Sequence, residues 1–362
     1  MPRATIDDVA ELAGVSIKTV SRVINSEPNV KLSTRDKVEL AVEQLNYRPN
    51  LSARSLASQR SRLIALVYDD PAAYEAPSAG YVIRLQEGAL RACRTAHYEL
   101  LIHPCDRRRK HVRRELGSLI EETQPDGVVL AAPLSNMPRI VAAIAATGSR
   151  FVRLSPGSRS HQELCIATDD REVSAEMTRY LASLGHRRIA FIAGDRRHKA
   201  VANRLPGYRD GLNASGPEYD RELVMQGDNS IESGEVAAEQ LLALDAPPTA
   251  IFAANDDMAA GVIRVAYRLG LGVPARLSVA GFDDSALARL VYPALTTIRQ
   301  PLAEMAERAA LELINGFGKP DPEPATVIIP STLQIRESTG LAPSEGYPQS
   351  YLAHHSGRGQ RT

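Results

Sequence analysis

Six apolar runs without polar alternation, separated by stretches of helical periodicity, constrain the fold of this chain most strongly. A strand that is apolar on both faces is buried on both faces, which is typical of parallel α/β sheets covered by helices. The number of strand–helix units exceeds one comfortable core, so the pattern predicts two lobes. The strand-like runs are 63–68, 98–103, 127–131, 188–193, 249–254 and 277–282. The helical stretches lie near 80–95, 110–122, 138–147, 171–184, 232–244 and 257–269.

Polar residues that directly follow these strands are the candidate ligand contacts. In parallel α/β sheets, ligands bind in the crevice beyond the carboxyl ends of the strands. The residues in such positions are Asp69, Asp70, Ser155, Asp195, Asn255, Asp256, Asp283 and Asp284.

The segment 5–25, TIDDVAELAGVSIKTVSRVIN, predicts two short helices joined by a tight turn. Thr5 and Asp8 have the spacing of a capping box, Gly14 suits the left-handed residue that ends a helix, and Ser16 can cap the second helix. Apolar residues at helical spacing form the inner face, namely Ile6, Val9, Ala10, Ala13, Val20 and Val23. The outer face of the second helix carries Ile17, Lys18, Ser21, Arg22 and Asn25. This pattern predicts a helix-turn-helix that reads a DNA major groove, with an ordinary helical hairpin as the alternative.

The distribution of charge favours DNA contact by this segment alone. Lys+Arg and Asp+Glu are equal at 43 each, which argues against non-specific wrapping of nucleic acid by the whole chain. Residues 16–61 nevertheless hold eight basic and four acidic residues, a local excess on the segment that would meet phosphates.

Two further short helices are predicted before the first strand. Ser33 with Asp36 has the spacing of a second capping box, which starts a third helix. After Pro49, Asn50 can cap a helix over 51–57, which is too short to be stable alone in water. Leu56 on this helix either packs on the protein body or wedges between bases in a minor groove.

Several classes of protein are disfavoured by what the chain lacks. Cys93, Cys105 and Cys165 have no CxxC spacing, so we expect buried thiols and neither disulfides nor a metal site. We find no signal peptide and no apolar stretch of spanning length, which predicts a cytoplasmic protein that contacts no membrane. There is no Walker loop, nucleophile elbow or HExxH, so we expect no catalytic residues and no cofactor. The basic cluster 107–110 with Arg113 and Arg114 is interpreted as a solvated loop and helix start rather than a second DNA site.

The chain resembles the lactose-repressor (LacI/GalR) family of bacterial transcription regulators over almost its whole length. Besides the segment 5–25, the similarity rests on LNYRPN (45–50), LGHRRIAFIAGD (184–195), RLPGYRDGL (204–212), ANDDMAAG (254–261), SVAGFDDS (278–285) and LTTIRQP (295–301). The resemblance implies an all-α helix-turn-helix head, a hinge helix and a two-lobed α/β core like that of periplasmic binding proteins.

The resemblance also implies domain boundaries. They are 1–49 for the helix-turn-helix domain, 50–61 for the hinge helix and linker, 62–340 for the effector-binding and dimerisation core, and 341–362 for a disordered tail. The first lobe would take about 62–160 and 298–326, and the second about 161–297 and 327–340. The chain would cross between the lobes near 155–168, 290–298 and 325–332.

In the head, the resemblance assigns base reading to Ile17, Lys18 and Arg22, in agreement with the donors and methyl contacts that major-groove edges require. The remaining predicted DNA contacts are Thr5, Ser16, Thr19, Ser21, Asn25, Asn50, Ala53 and Leu56. Thr19, Ser21 and Asn25 would position phosphates, and Leu56 becomes the expected minor-groove wedge of a palindromic operator.

In the core, the resemblance places Arg204, Asn255 and Asp283 at effector-contact positions. The alternatives are structural, since Asn255 and Asp283 can cap helices and Arg204 can pair with a carboxylate. Ser155 and His198 are further candidates, and Tyr74 or Tyr81 would supply a stacking face. Asn229 stands where many members carry an aromatic residue, and Ala200 where many carry a hydroxyl. A sugar or oligosaccharide effector is expected, with a purine as the alternative.

These features predict an effector-controlled repressor that acts as a homodimer, because the tail has no leucine heptads that would form a tetramer. Three rival interpretations are a sugar or nucleoside hydrolase, a sugar-transport protein and an architectural DNA protein. The first lacks a catalytic set, and the second lacks an export signal. The third would show little sequence preference and a steep salt dependence.

Overall fold

The structure, a computed structural model, describes residues 4–24, 30–47, 60–70, 79–157, 163–196, 198–320 and 324–344. The chain divides into two compact units, Met1–Arg62 and Leu63–Thr362. Each unit has its own hydrophobic core. The predicted hinge helix over 51–57 lies outside the described residues.

The described residues of the first unit form three helices around a small apolar core. They are α1 (Ile6–Ala13), α2 (Ile17–Ile24) and α3 (Leu32–Gln44). The core consists of Val9, Ala10, Val20, Val23, Val38 and Ala41. Gly14 ends α1 with a φ of 65°, a left-handed conformation that is cheapest for glycine. These helices form the predicted helix-turn-helix head.

The caps of these helices are formed at the first two predicted positions and not at the third. The Thr5 amide donates to Asp8 Oδ2 at 2.7 Å, and Thr5 Oγ1 accepts from the Asp8 amide at 3.3 Å. Ser16 Oγ accepts from the Thr19 amide at 3.2 Å. The predicted Ser33–Asp36 box is wrong, because α3 already begins at Leu32 and its N-cap is Lys31, which makes no side-chain cap bond. Ser33 therefore lies inside the first turn, where a hydroxyl cannot act as the N-cap.

Two parallel sheets and a short ribbon form the second unit. The first sheet has the order β11-β5-β4-β3-β1-β2, the second has the order β7-β6-β8-β9, and β10 pairs antiparallel with β12. The strands of the first sheet are β1 (Leu63–Asp69), β2 (Glu99–Cys105), β3 (Gly127–Leu130), β4 (Phe151–Leu154), β5 (Leu164–Ala167) and β11 (Thr326–Ile328). Those of the second sheet are β6 (Ile189–Ala193), β7 (Val224–Gln226), β8 (Ala250–Ala253) and β9 (Ser278–Ala280). The ribbon consists of β10 (Thr297–Arg299) and β12 (Thr332–Gln334).

Helices cover both sheets, as buried parallel strands require. They are α4 (Ala79–Thr95), α5 (Val112–Thr123), α6 (Pro138–Ala146), α7 (Asp170–Ser183), α8 (Lys199–Ala202), α9 (Arg204–Ser215), α10 (Ile231–Leu242), α11 (Asp256–Arg268), α12 (Ala286–Leu290) and α13 (Leu302–Gly316). Helices α4 and α13 pack together on the first sheet, while α7 packs against α9 and α10 against α11 on the second. The result is two α/β lobes.

The chain passes between the lobes at positions that differ in part from those expected. Strand β5 pairs with β4 through Val152 and Leu164, so β5 belongs to the first lobe through Ala167, beyond the boundary expected near residue 160. Strand β11 likewise pairs with β5 and belongs to the first lobe through Ile328. The other crossing runs through β10, which leads from the second sheet into α13.

The predicted tail begins with an ordered contact. The Ala342 amide donates to the Leu184 carbonyl at 2.8 Å, so residues that follow the last strand are bound to the second lobe. Residues 345–362 lie outside the described part of the chain. Among the described residues, no helix is long and apolar enough to cross a membrane.

Candidate functional site

The outer face of α2 presents the side chains that were predicted to read bases. Val20 and Val23 are buried, which directs Ile17, Lys18 and Arg22 outward, and Ile17 is 47% exposed. An isoleucine exposed beside two basic residues at the start of a recognition helix suits contact with groove edges and phosphates.

The structure describes some of the other predicted DNA contacts and not others. Thr5, Ser16 and Thr19 take part in local capping bonds. Ser21 is half-buried on α2. Asn25, Asn50, Ala53 and Leu56 lie outside the described residues.

A cavity of about 340 Å³ lies where the carboxyl ends of both parallel sheets meet. Five predicted residues line it at the ends of their strands or in the loops that follow, namely Asp69, Ser155, Asp195, Asn255 and Asp283. The rest of the lining is Tyr68, Tyr81, Val82, Arg107, Arg108, Ala132, Pro133, His198, Val201, Arg204, Asp228, Asn229, Ser230 and Gln300. We call this cavity the cleft. Its position is the one expected for ligands of parallel α/β sheets.

A second cavity, of about 320 Å³, lies in the first lobe against Arg150, Glu163 and Glu312. It touches the amino ends of β4 and β5 and contains none of the predicted contact residues. The chemistry of the site is therefore assigned to the cleft.

Arg204 is the most thoroughly fixed side chain of the cleft. It is 3% exposed, its Nε donates to Asp170 Oδ1 at 2.9 Å, and its Nη1 donates to the Ala254 carbonyl. Its Cζ atom lies 3.5 Å from the centroid of the Phe282 ring. Arg204 therefore pairs with a carboxylate, as its structural alternative predicts. It also lines the cleft.

Asp283 brings a carboxylate to the same wall from the end of β9. Gln300 Nε2 donates to its Oδ1. Burial raises the pKa of Asp283 above its ordinary value, against the opposing effects of Arg204 and Gln300. Asp283 and the following Asp284 both have positive φ angles, 124° and 52°, which is a strained conformation for residues other than glycine. The chain thereby turns Asp283 to the cleft and Asp284 away from it.

Asp284 and Asp256 follow strands but do not line the cleft. Asp284 accepts from Arg289 at 3.0 Å, from Arg299 at 2.7 Å and from Arg336. Burial alone would raise the pKa of Asp284, but these three guanidinium groups outweigh it and lower the pKa. Asp256 is 1% exposed and accepts from the Ser285 amide at 2.7 Å. Both carboxylates therefore hold the loop after β9 and the crossing ribbon in place.

Asn255 caps a helix, the structural role predicted as its alternative, and it also lines the cleft. Its Oδ1 accepts from the Met258 amide at 3.0 Å, which caps α11, and its Nδ2 donates to the Asn229 carbonyl at 2.9 Å. Asn229, with a φ of 74°, in turn accepts from the Asp195 amide at 3.2 Å through its Oδ1. Asn229, which stands in place of an aromatic residue, therefore ties two cleft loops together.

His198 and Tyr81 each have a buried polar atom that has no hydrogen-bond partner among the described residues. Within the described residues, His198 Nδ1 is buried and has no hydrogen-bond partner. Burial, aided by Arg204, lowers the pKa of His198 to about 4, so the ring is neutral near pH 7. The buried Tyr81 hydroxyl lies beside the Ala132 backbone but forms no hydrogen bond of normal geometry among the described residues. A ligand hydroxyl would satisfy both groups. Tyr74, the other aromatic candidate, lies outside the described residues.

The interpretation of the basic cluster as wholly solvated is wrong for Arg107. Only 14% of its side chain is exposed, and its Nε lies 2.8 Å from Asp69 Oδ2. Its Nη2 lies 3.6 Å from Asp195 Oδ2. Arg107 follows β2 just as Asp195 follows β6, so the rule applied to the other strands would have found it. Gln300, after the ribbon strand β10, was missed because that strand is too short to show a pattern.

Together these features define a class of protein, a helix-turn-helix DNA-binding head with a core built like a periplasmic binding protein. Residues 5–50 match the profile of bacterial regulatory proteins of the lacI family, and residues 178–339 match that of the periplasmic binding protein-like domain. The chain is 35% identical to the HTH-type transcriptional regulator GalR of Escherichia coli over 98% of its own length and 99% of that protein.

Solved structures agree with this assignment. A complex of the transcriptional regulator CelR with cellobiose is 31% identical and covers 93% of this chain and 100% of that one, with a TM-score of 0.70. The lac repressor dimer bound to operator and the anti-inducer ONPF is 28% identical over 94% of this chain and 100% of that one, with a TM-score of 0.76. The chain belongs to the LacI family and is a helix-turn-helix transcriptional regulator. The described residues contain no group of three or more His, Cys, Asp and Glu side chains placed to hold a metal ion.

Proposed function

We propose that this regulator represses transcription as a homodimer on a palindromic operator and responds to a small saccharide bound in the cleft. The observation that supports the effector class is the polar lining of the cleft. Asp283, the neutral His198 ring and the Tyr81 hydroxyl offer acceptors and donors in fixed directions, which suits a ligand rich in hydroxyls. A cavity of about 340 Å³ is at the lower end of small-molecule sites, which favours a short saccharide.

The relatives support the same effector class. CelR is described in complex with cellobiose, and the lac repressor with ONPF. The alternative is a purine-type ligand, which needs an aromatic face for stacking. The described lining offers two tyrosines, of which Tyr68 is 1% exposed, so a purine would have to stack on Tyr81.

A thermal-shift screen of the full-length protein with monosaccharides, disaccharides and purine bases tests the effector class. A ligand that binds only the native state raises the melting temperature by mass action. We expect one or more saccharides to raise it and purines to leave it unchanged. A shift with a purine and with no saccharide would overturn the saccharide assignment.

The homodimer is supported by apolar side chains on neighbouring surfaces of the first lobe. Ile83 and Leu90 on α4 are 56% and 37% exposed, and Ile102 on the edge strand β2 is 39% exposed. Exposed apolar groups that lie on packed elements mark protein interfaces. Sedimentation of the full-length protein should give twice the chain mass, and a monomer at micromolar concentration would contradict it.

Operator recognition is tested by selection from random DNA. Two heads related by a twofold axis bind half-sites about 34 Å apart or at a similar distance, so an inverted repeat should be enriched. We propose the following DNA contacts: Thr5, Ser16, Ile17, Lys18, Thr19, Ser21, Arg22, Asn25, Asn50, Ala53 and Leu56. Enrichment of no inverted repeat would count against this assignment.

A further inference from the structure

Arg107 connects the two lobes through its guanidinium group. It comes from the loop after β2 in the first lobe, where both its Nε and its amide contact Asp69, at 2.8 and 2.9 Å. Its Nη2 reaches Asp195 of the second lobe at 3.6 Å. One positive charge is therefore shared by carboxylates that belong to different lobes.

Asp195 is held firmly on its own side of this contact. Its amide donates to Asn229 Oδ1, and the Asn229 carbonyl accepts from Asn255, which caps α11. On the other side, the backbone and side chain of Arg107 are both tied to Asp69. The charge pair thus joins two braced loops rather than two mobile side chains, which reduces the entropy that is lost when it forms.

The contact is also shielded from water. The side chains of Arg107 and Asp195 are 14% and 15% exposed, whereas Arg109 two residues further is 71% exposed. Partly buried charge pairs are screened by salt much less than exposed ones. Opening the lobes would separate Arg107 from Asp195 and hydrate both, so the pair favours the arrangement in which the lobes approach each other.

We propose that Arg107 and Asp195 form an inter-lobe latch that holds the core closed before any effector binds. A latch of this kind raises the fraction of molecules whose cleft is already assembled, and the apparent affinity for an effector rises with that fraction. This consequence rests on the proposed effector function, but the latch itself is formed by side chains of the protein alone. It is therefore tested without ligand, so its failure and the failure of the effector assignment are distinguishable.

The test is the distance between two spin labels on the ligand-free, full-length protein. Glu122, in the last turn of α5, and Glu218, before β7, lie at the amino-end edges of the two sheets and are exposed, so both are replaced by cysteine and labelled. The native cysteines are buried, and burial raises the pKa of Cys93 to about 11 and of Cys105 to about 12, which makes them unreactive. Co-expression with an excess of chains without the added cysteines gives dimers that carry one labelled chain.

We expect Arg107→Gln to raise the ratio of open to closed distances at least about fivefold, the lower end of typical coupling between sites. Asp195→Asn should also raise this ratio, and the double variant should raise it by less than the product of the two single effects, because the Arg107–Asp195 contact is lost in each single variant. Arg109→Gln removes the same charge from the same loop and should leave the distribution unchanged. If Arg107→Gln misfolds, Asp195→Asn alone decides. Unchanged distances in the folded single variants, or fully additive effects, would overturn the latch.

Discussion

The Nη1 atom of Arg204 lies 3.7 Å from Oδ1 of Asp283, while Nε of the same guanidinium donates to Asp170. Arg204 would therefore remain paired if Asp283 were removed, so the cleft wall does not depend on Asp283 for its charge balance. The carboxylate of Asp283 is correspondingly available to a ligand, whereas the guanidinium of Arg204 fixes the wall behind it.

Replacing Asp283 with Ala should remove the response to effector and leave operator binding intact. A hydrogen bond to a charged group contributes about 1.5–3 kcal/mol, so we expect saccharide affinity to fall at least about tenfold. The measurement is calorimetric titration with the saccharide identified by the thermal-shift screen. Asp245→Ala, an exposed change outside the cleft, is the matched control. An unchanged affinity in the Asp283 variant would place the effector elsewhere.

Replacing Lys18 with Gln should change base preference at one or two positions of the operator. Lys18 is exposed on α2, where an ammonium group can donate to guanine O6 and N7. The check is the sequence logo obtained from selected DNA. Lys37→Gln removes the same charge from an exposed position on α3 and should leave the logo unchanged. Equal logos for wild type and the Lys18 variant would contradict base reading by this residue.

Two substitutions of Asn255 can separate its capping of α11 from its contribution to the cleft. Asn255→Ala removes the cap of α11 and should lower the free energy of unfolding by about 1 kcal/mol, measured by urea denaturation. Asn255→Ser keeps a capping oxygen but loses the amide donor to Asn229. We expect the Ser variant to retain most of the stability and still to bind effector more weakly than wild type. Wild-type affinity in that variant would reduce Asn255 to a helix cap.

Protonation of His198 should make stability depend on pH. Its pKa is lowered to about 4 in the folded protein, below the value of 6.5 of an unperturbed ring, so the unfolded chain binds the proton more tightly. The stabilisation is complete above pH 6.5 and is lost as the pH falls from 6.5 towards 4. The melting temperature of wild type should therefore fall more over this range than that of His198→Gln. Parallel curves would show that the ring is not buried as described.

Much of the architecture is predictable because strands that are buried on both faces of a sheet consist of continuous apolar runs. The runs around Val67, Val129 and Ile192 lack polar alternation, and all three lie in central parallel strands. The head is equally predictable. Gly14 predicts the turn between α1 and α2, and the apolar spacing of these helices predicts the core. Asp283 is predictable because it directly follows the apolar run 277–282, and ligands of parallel α/β sheets bind beyond the carboxyl ends of the strands.

What was missed depends on contacts between distant parts of the chain. Arg107 follows β2, so the strand-end rule would have found it, but its pairing with Asp69 and with Asp195 of the other lobe is not visible in the run of basic residues 107–110. Strand β5 has four residues, and nothing local indicates that it pairs with β4 before the chain crosses. The cap of α3 at Lys31 has no side-chain bond and thus no sequence signal.

The strained step from Asp283 to Asp284 limits how a biosensor can be engineered from this protein. Under the proposed effector function, Asp283 is the position to exchange for another metabolite, because it lines the cleft. Asp284 cannot serve as a second design position, since the three arginines around it would be left as uncompensated positive charges at the crossing ribbon. Libraries for altered ligand recognition should therefore vary Asp283 and hold its successor constant.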